Sequence, residues 1–315
     1  MPDTSEPGIA MLGSTGSGKS TFLCALEMAL LQKDSNWLLY ARDDASKMQL
    51  DEMSSALTSE GRFPLPTFGI DTFDWILGGK VERTERTRFS TRTVPQSVEI
   101  TMKLTDSTGE LGRSDQIGLQ PRQQLMANLA RSAGILYMFD PIREFNEGDA
   151  YARTSSLLRE LIGVLSSDKG FDGRLPHHVA VCVTKLDDPR VYRTAESLKM
   201  LEWDQDHPQG FPMVHDSDAR DLLHTLCKVG RNGTGEVVPR LLEKFFYPQR
   251  VRYFATSAVG FMVDKRTRRF DPQDTENVYR IASGKSLVRG PVNPVNVVEP
   301  VLWLIRQMTP STWSR

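Results

Sequence analysis

The sequence is short of several things, and each shortage removes a class of protein. Only three cysteines, Cys24, Cys182 and Cys227, occur in 315 residues. They lie far apart and form no C-x-x-C, so neither a disulfide framework nor a redox pair is expected. Cys24 falls in an apolar helical pattern and Cys182 in an apolar strand pattern, which fits reduced, buried thiols of a cytosolic protein. Long hydrophobic runs are also missing. "GILYMF" and "VLWLI" fall far short of the roughly 20 residues a membrane span needs, and the opening "MPDTSEPG" is polar and acidic rather than signal-like. Neither sign of charge is in excess. With 39 Lys and Arg against 40 Asp and Glu, the formal net charge is −1, which implies no nucleic-acid or membrane partner. No internal repeat or low-complexity segment appears.

What is present is ordinary for a globular chain, with 39% apolar and 25% charged residues. "GIAMLG" (8–13) reads as a short buried strand, and 19–32, rich in helix formers with a broad apolar face, as a helix. Residues 43–60 read as a more polar helix and "EGRFPLPTFG" (60–69) as loop. "SVEITMKL" (97–104) alternates, with Val98, Ile100, Met102 and Leu104 on one face. "GILYMFD" (134–140) and "HVAVCVT" (178–184) suit central parallel strands covered on both faces, with a helix over 150–166 between them. The pattern weakens over 188–235, apart from a helix near 217–229. A helix at 236–246 feeds the strand 250–258, residues 262–296 look mostly irregular, and a helix over 297–308 closes the pattern. Alternating strand and helix imply a parallel sheet with right-handed crossovers.

The strongest motif is "GSTGSGKST" (13–21). Gly13, Gly18, Lys19 and Ser20 fit G-x-x-x-x-G-K-[ST], between an expected strand and an expected helix. Glycines let the backbone of Gly13, Ser14, Thr15, Gly16, Ser17 and Gly18 wrap an anion, with N–H groups and the helix N-terminus of Lys19, Ser20 and Thr21 aimed at phosphate. Lys19 would reach the β- and γ-phosphates and the Ser20 hydroxyl would ligate Mg²⁺. A second "SGKS" at 283–286 lacks the upstream glycine and a preceding strand, and reads as a loop.

This loop alone allows ATPases, GTPases and small-molecule kinases. Three further stretches choose among them. "TDSTGE" (105–110) ends the alternating strand, placing Asp106 to hold Mg²⁺ through water and the Gly109 N–H to meet the γ-phosphate. "TKLD" (184–187) matches [NT]-K-x-D. Asp187 can accept the N1–H and exocyclic amine of guanine, which adenine does not offer there, and the Lys185 stem can cover base and sugar. "TSA" (256–258) brings Ser257 and the Ala258 N–H, the latter towards guanine O6. Each follows an apolar strand, in one order. Together they resemble a Ras-like (TRAFAC class) P-loop GTPase. The resemblance implies a three-layer α/β P-loop fold, with helices on both faces of a mainly parallel six-stranded sheet. It implies GTP and GDP as ligands, Mg²⁺ as cofactor, and the roles just given to Lys19, Ser20, Asp106, Gly109, Lys185, Asp187 and Ala258, with Thr184 among the nucleotide-binding residues.

A switch GTPase also needs a mobile Thr between the first helix and the D-x-x-G strand. Thr67, Thr72, Thr84, Thr87, Thr91 and Thr93 qualify. Thr67 is preferred, because it ends the Pro-stiffened "GRFPLPT", although it reads as well as an ordinary loop threonine. Arg62 could serve as an internal arginine finger or be a plain loop arginine. "GRFPLPT", "DSTGE", "RYFATSAVG" and "NPVNVVEPVLWLI" resemble the bacterial double-GTPase 2 domain family, which implies protein partners in a multi-component bacterial system. Glu110 stands where Ras has its water-orienting Gln. A carboxylate can orient water but adds negative charge beside the γ-phosphate, so slow hydrolysis is expected.

Other clusters read as structure. The Asp and His of 203–218 match no metal spacing, Lys265, Arg266, Arg268 and Arg269 suit an exposed loop, and the mixed charges of 80–93 suit an exposed strand edge. The expectation is therefore one enlarged Ras-like domain over 1–315, with insertions or expanded switch regions at about 42–96 and 188–235. It would be a cytoplasmic GTPase switch. A non-hydrolysing nucleotide-binding module is the rival, and a P-loop ATPase a third reading.

Overall fold

The computed structural model describes residues 8–32, 36–64, 72–86, 91–105, 119–167, 170–203, 209–282 and 284–309. Along the chain come β1 (Gly8–Gly13), α1 (Lys19–Gln32), β2 (Leu38–Ala41), α2 (Asp44–Thr58), β3 (Thr72–Arg86), β4 (Thr91–Thr105), α3 (Leu119–Arg131), β5 (Gly134–Phe139), α4 (Pro141–Asn146), α5 (Ala150–Leu165), β6 (His178–Val183), α6 (Pro189–Ser197), β7 (Leu201–Trp203), β8 (Pro212–Val214), α7 (Asp216–Lys228), α8 (Val237–Phe245), β9 (Val251–Ala255), β10 (Val278–Arg280), β11 (Ser286–Val288) and α9 (Val298–Met308).

Seven of the strands form one sheet in the order β2-β3-β4-β1-β5-β6-β9. The run β4-β1-β5-β6-β9 is parallel, while β2 and β3 add antiparallel pairings at one edge. Alternation along each strand feeds two separate cores. Ala10, Leu12, Tyr137 and Val181 face α3, α5 and α7, and Ile9, Met11, Met138 and Cys182 face α1, α2 and α9. Every residue of β5 is buried, as a parallel strand covered on both faces requires. The expected α/β architecture holds. The sheet has one strand more than the expected six, because the four-residue "LLYA" of β2 is too short to show a period yet finds a partner in β3.

The segment 42–96 contributes ordered elements of this sheet side. Asp43 caps α2 by accepting from Ser46 N at 2.7 Å. β3 and β4 pair from Thr72↔Thr105 to Arg86↔Thr91. Their inner halves also pair with β2 along Trp75–Gly78 and with β1 along Thr101–Leu104, and beyond these the two strands pair with each other as far as Arg86↔Thr91. All three cysteines are buried and free, as expected.

β1 pairs with β4 on one side and β5 on the other. Chain connections diverge at this strand, and in open α/β sheets a ligand crevice opens beyond the carboxyl ends of strands at such a point. The loop after β1 lies there.

Candidate nucleotide-binding site

The loop 14–18 leaves buried β1 and enters α1, whose Lys19, Thr21, Phe22 and Leu23 are buried from the first turn. Gly13 is required by close approach. A Cβ there would sit 2.6 Å from Ser17 Oγ and 2.8 Å from Met138 O. Gly18 has φ +95°, a backbone that L side chains rarely adopt. Lys19 Nζ donates to Gly13 O (2.9 Å) and Ser14 O (3.3 Å), which folds the cation back over its own loop. The Thr15 and Ser17 hydroxyls are buried without a hydrogen-bond partner among the described residues. Orphaned hydroxyls around a loop at a helix N-terminus fit an anionic ligand.

Residues 15–21 form one wall of a cavity of about 350 Å³. Thr184, Lys185, Asp187 and Ala258 line the same cavity, so the structure brings the phosphate loop and both candidate base-reading loops together. Gly13 and Ser14 border a separate cavity of about 90 Å³ on the side of α5.

The base end is held by bonds between distant parts of the chain. Thr184 donates its N (3.0 Å) and Oγ1 (2.9 Å) to Phe139 O. Leu186 N donates to Thr256 O (3.1 Å), which ties "TKLD" to "TSA". Lys185 has φ +61°, a strained conformation for a residue with a side chain, and its Nζ pairs with Asp140 Oδ2 at 2.7 Å. Asp140 caps α4 by accepting from Ile142 N and Arg143 N. Asp187 is buried, and its Oδ1 accepts from Ser257 Oγ at 2.6 Å. Burial pushes its carboxyl up to about 7, against the opposing pull of the Ser257 hydrogen bond. Ser257 thus reaches the cavity through Asp187.

Of the remaining expected residues, Thr67, Asp106, Gly109 and Glu110 lie outside the described residues. Ser20 lines the cavity and offers a hard oxygen of the kind Mg²⁺ takes. Arg62 does not line it. Its Nε donates to Glu60 Oε2 at 2.7 Å, which suits the loop-arginine reading. Among the described residues no group of His, Cys, Asp and Glu could hold a metal, and His215 and Asp216 of the 203–218 cluster cap α7 and pair with Arg252. Lys265 to Arg269 sit on an exposed turn organised by Asp264, which accepts from Arg266 N and Thr267 N.

Phe63 and Pro64, of the stretch "GRFPLPT", also line the cavity, and Glu276, Val278, Arg280 and Ser286 around the β10–β11 hairpin are lining residues that go unread in the sequence. Gly284 (φ +80°), in the turn between two three-residue strands, is the one local signal for that hairpin.

No protein-family model matches this chain, and no curated protein matches it. Among solved structures it is similar to the Arl6 BBS3 small GTPase from Trypanosoma brucei with a bound GppNp analogue. That match has 10% identity, covers 96% of this chain and 98% of that one, and has a TM-score of 0.38. It is also similar to the signal recognition particle receptor SRb-GTP/SRX complex from Chaetomium thermophilum (14% identity, 82% and 93% covered, TM-score 0.36). The GTP-bound Ski7 GTPase-like domain of S. cerevisiae gives 13% identity, 96% and 50% covered, and a TM-score of 0.40. Scores this low carry no weight, and the fold rests on the chain's own strand order. Among the described residues no helix is long and apolar enough to cross a membrane.

Proposed function

We propose that the chain is a single guanine-nucleotide-binding domain over 1–315 that binds GTP and GDP with Mg²⁺ and hydrolyses GTP slowly to GDP and phosphate, as a switch. The observation that carries this reading is one cleft with a phosphate-type loop on one wall and a buried, hydrogen-bonded Asp187 on the other. On this reading, Lys19 leaves Gly13 O and Ser14 O for the β- and γ-phosphates, while Thr15 and Ser17 gain partners. Asp187 accepts the two guanine donors, and a bound adenine would leave it buried and unpaired. Mg²⁺, held by Ser20 with Thr67 and Asp106, would neutralise charge on the transferred phosphate. Glu110 would orient the attacking water. The double-GTPase 2 resemblance extends the reading to a cytoplasmic switch with protein partners in a bacterial multi-component system.

The test is phosphate release from saturating GTP with Mg²⁺, for the wild type, Lys19→Ala and Glu110→Gln. Slow release that disappears in Lys19→Ala and speeds up in Glu110→Gln is expected. Release no faster than in Lys19→Ala, with nucleotide bound, would leave a non-hydrolysing interaction module instead.

A further inference from the structure

Residues 262–282 and 284–296, between "TSA" and α9, form a strap bonded to both base-reading loops. Thr275 Oγ1 donates to Asp187 O (3.1 Å), and Val295 N donates to Ser257 O (2.8 Å) while Val295 O accepts from Ser257 N (3.1 Å). Asn277 is wholly buried. Its Nδ2 donates to Val259 O and Pro291 O, both at 3.0 Å, and its Oδ1 accepts from Gly290 N at 2.8 Å. A fully satisfied buried amide of this kind fixes the root of the hairpin.

The hairpin register decides what the strap presents. Val278 pairs with Val288 and Arg280 with Ser286, so Val278, Arg280 and Ser286 share one face, and these line the cleft with Glu276. Tyr279 points the other way and is exposed. Beyond the hairpin, Val288 N donates to Gly61 O (2.8 Å) and Leu287 bridges Arg62. The strap therefore runs from the base-reading loops to the stem of "GRFPLPT".

Its charges are ordered along that line. Glu276 lies at the base end, where it feels Asp188 and Arg190, and also Arg289 and Arg280. Arg280 is four residues on, up to ~13 Å along extended chain. It is exposed and, among the described residues, makes no ion pair. Among the described residues, the phosphate-facing groups already assigned all belong to the loop after β1 and the first turn of α1.

We propose that this strap is a third wall of the nucleotide cleft and that Arg280 grips the phosphate chain of the bound nucleoside polyphosphate from the solvent side. The inference rests on the nucleotide reading of the cleft. A guanidinium fork matches phosphate oxygens, and a solvated side chain gains this partner only when nucleotide is present.

The test is calorimetric titration of GDP into the wild type, Arg280→Ala and Arg280→Lys, with melting of each nucleotide-free protein. Arg280→Ala should bind GDP about tenfold or more weaker with unchanged melting, and Arg280→Lys should recover part of the loss. The same factor should be lost for XDP in an Asp187→Asn background, because a phosphate contact is blind to the base. Equal GDP affinity in Arg280→Ala and wild type would overturn the proposal while leaving the nucleotide reading intact. So would a loss matched by a lower melting temperature. If the wild type binds ATP rather than guanine nucleotide, the same loss is expected for ATP and only the base assignment falls. Binding of neither would overturn both.

Discussion

The two ends of the cleft are built in opposite ways. The phosphate end is local. Nine consecutive residues, from the last of β1 through the first turn of α1, supply backbone N–H groups, two orphaned hydroxyls and Lys19, and the glycines let the loop take its shape. The base end is assembled from pieces far apart in sequence, with Asp187 bonded to Ser257 seventy positions on and to Thr275 beyond that. On the proposed function, a local loop would recognise a group that every nucleotide carries. On the same reading, a buried carboxylate held by Ser257 would recognise one base, at the cost of burying charge. The phosphate end should therefore set affinity, and the base end discrimination.

The largest effect should come from breaking the phosphate end. Lys19→Ala removes charge-assisted contacts to phosphate and should weaken GDP and GTP by roughly 100-fold or more in calorimetric titration, with little change in base preference. Gly13→Ala acts on the same end through packing. Its Cβ meets Ser17 Oγ and Met138 O, and overpacking of this kind costs about 1–3 kcal/mol, readable by chemical denaturation.

The base end should show itself through protons. Its carboxylate must be ionised to accept guanine, and burial holds it at about 7. GDP affinity should fall about tenfold from pH 8 to pH 6, while ADP affinity stays flat. The nucleotide-free protein carries the opposite dependence. Its Asp187 is raised from 3.8, so the folded state binds more protons across pH 4 to 7 and this group's contribution to stability declines as pH rises through that window. Ser257→Ala is the smallest change. It removes the bond to Asp187, of about 1 kcal/mol, along with the bond that Ser257 Oγ accepts from Gly260 N, so GDP should weaken about fivefold and the pH midpoint should move upwards, with ADP unaffected.

This contrast also explains what the sequence reveals. The β1–loop–α1 unit is legible because strand, glycines and helix are contiguous. "TKLD" and "TSA" are legible as strand ends, but the Ser257–Asp187 bond that joins them depends on β6 and β9 lying side by side. β3 is obscured by Gly78, Gly79 and a run of charges, and the fifteen-residue ladder with β4 overrides those preferences. α6 begins with Asp188 as cap and Pro189 at its first turn, a start signal lost within a polar stretch. β10 and β11 have three residues each, too few for a period, and what fixes them is the wholly non-local anchoring of Asn277.

The most direct test of the central claim is displacement of fluorescent GDP by GDP, ADP and XDP, for the wild type and Asp187→Asn, with Mg²⁺. A guanine site read by Asp187 requires GDP to compete far better than ADP in the wild type, with the variant turning to XDP. Equal competition by ADP, unchanged by the substitution, would contradict it.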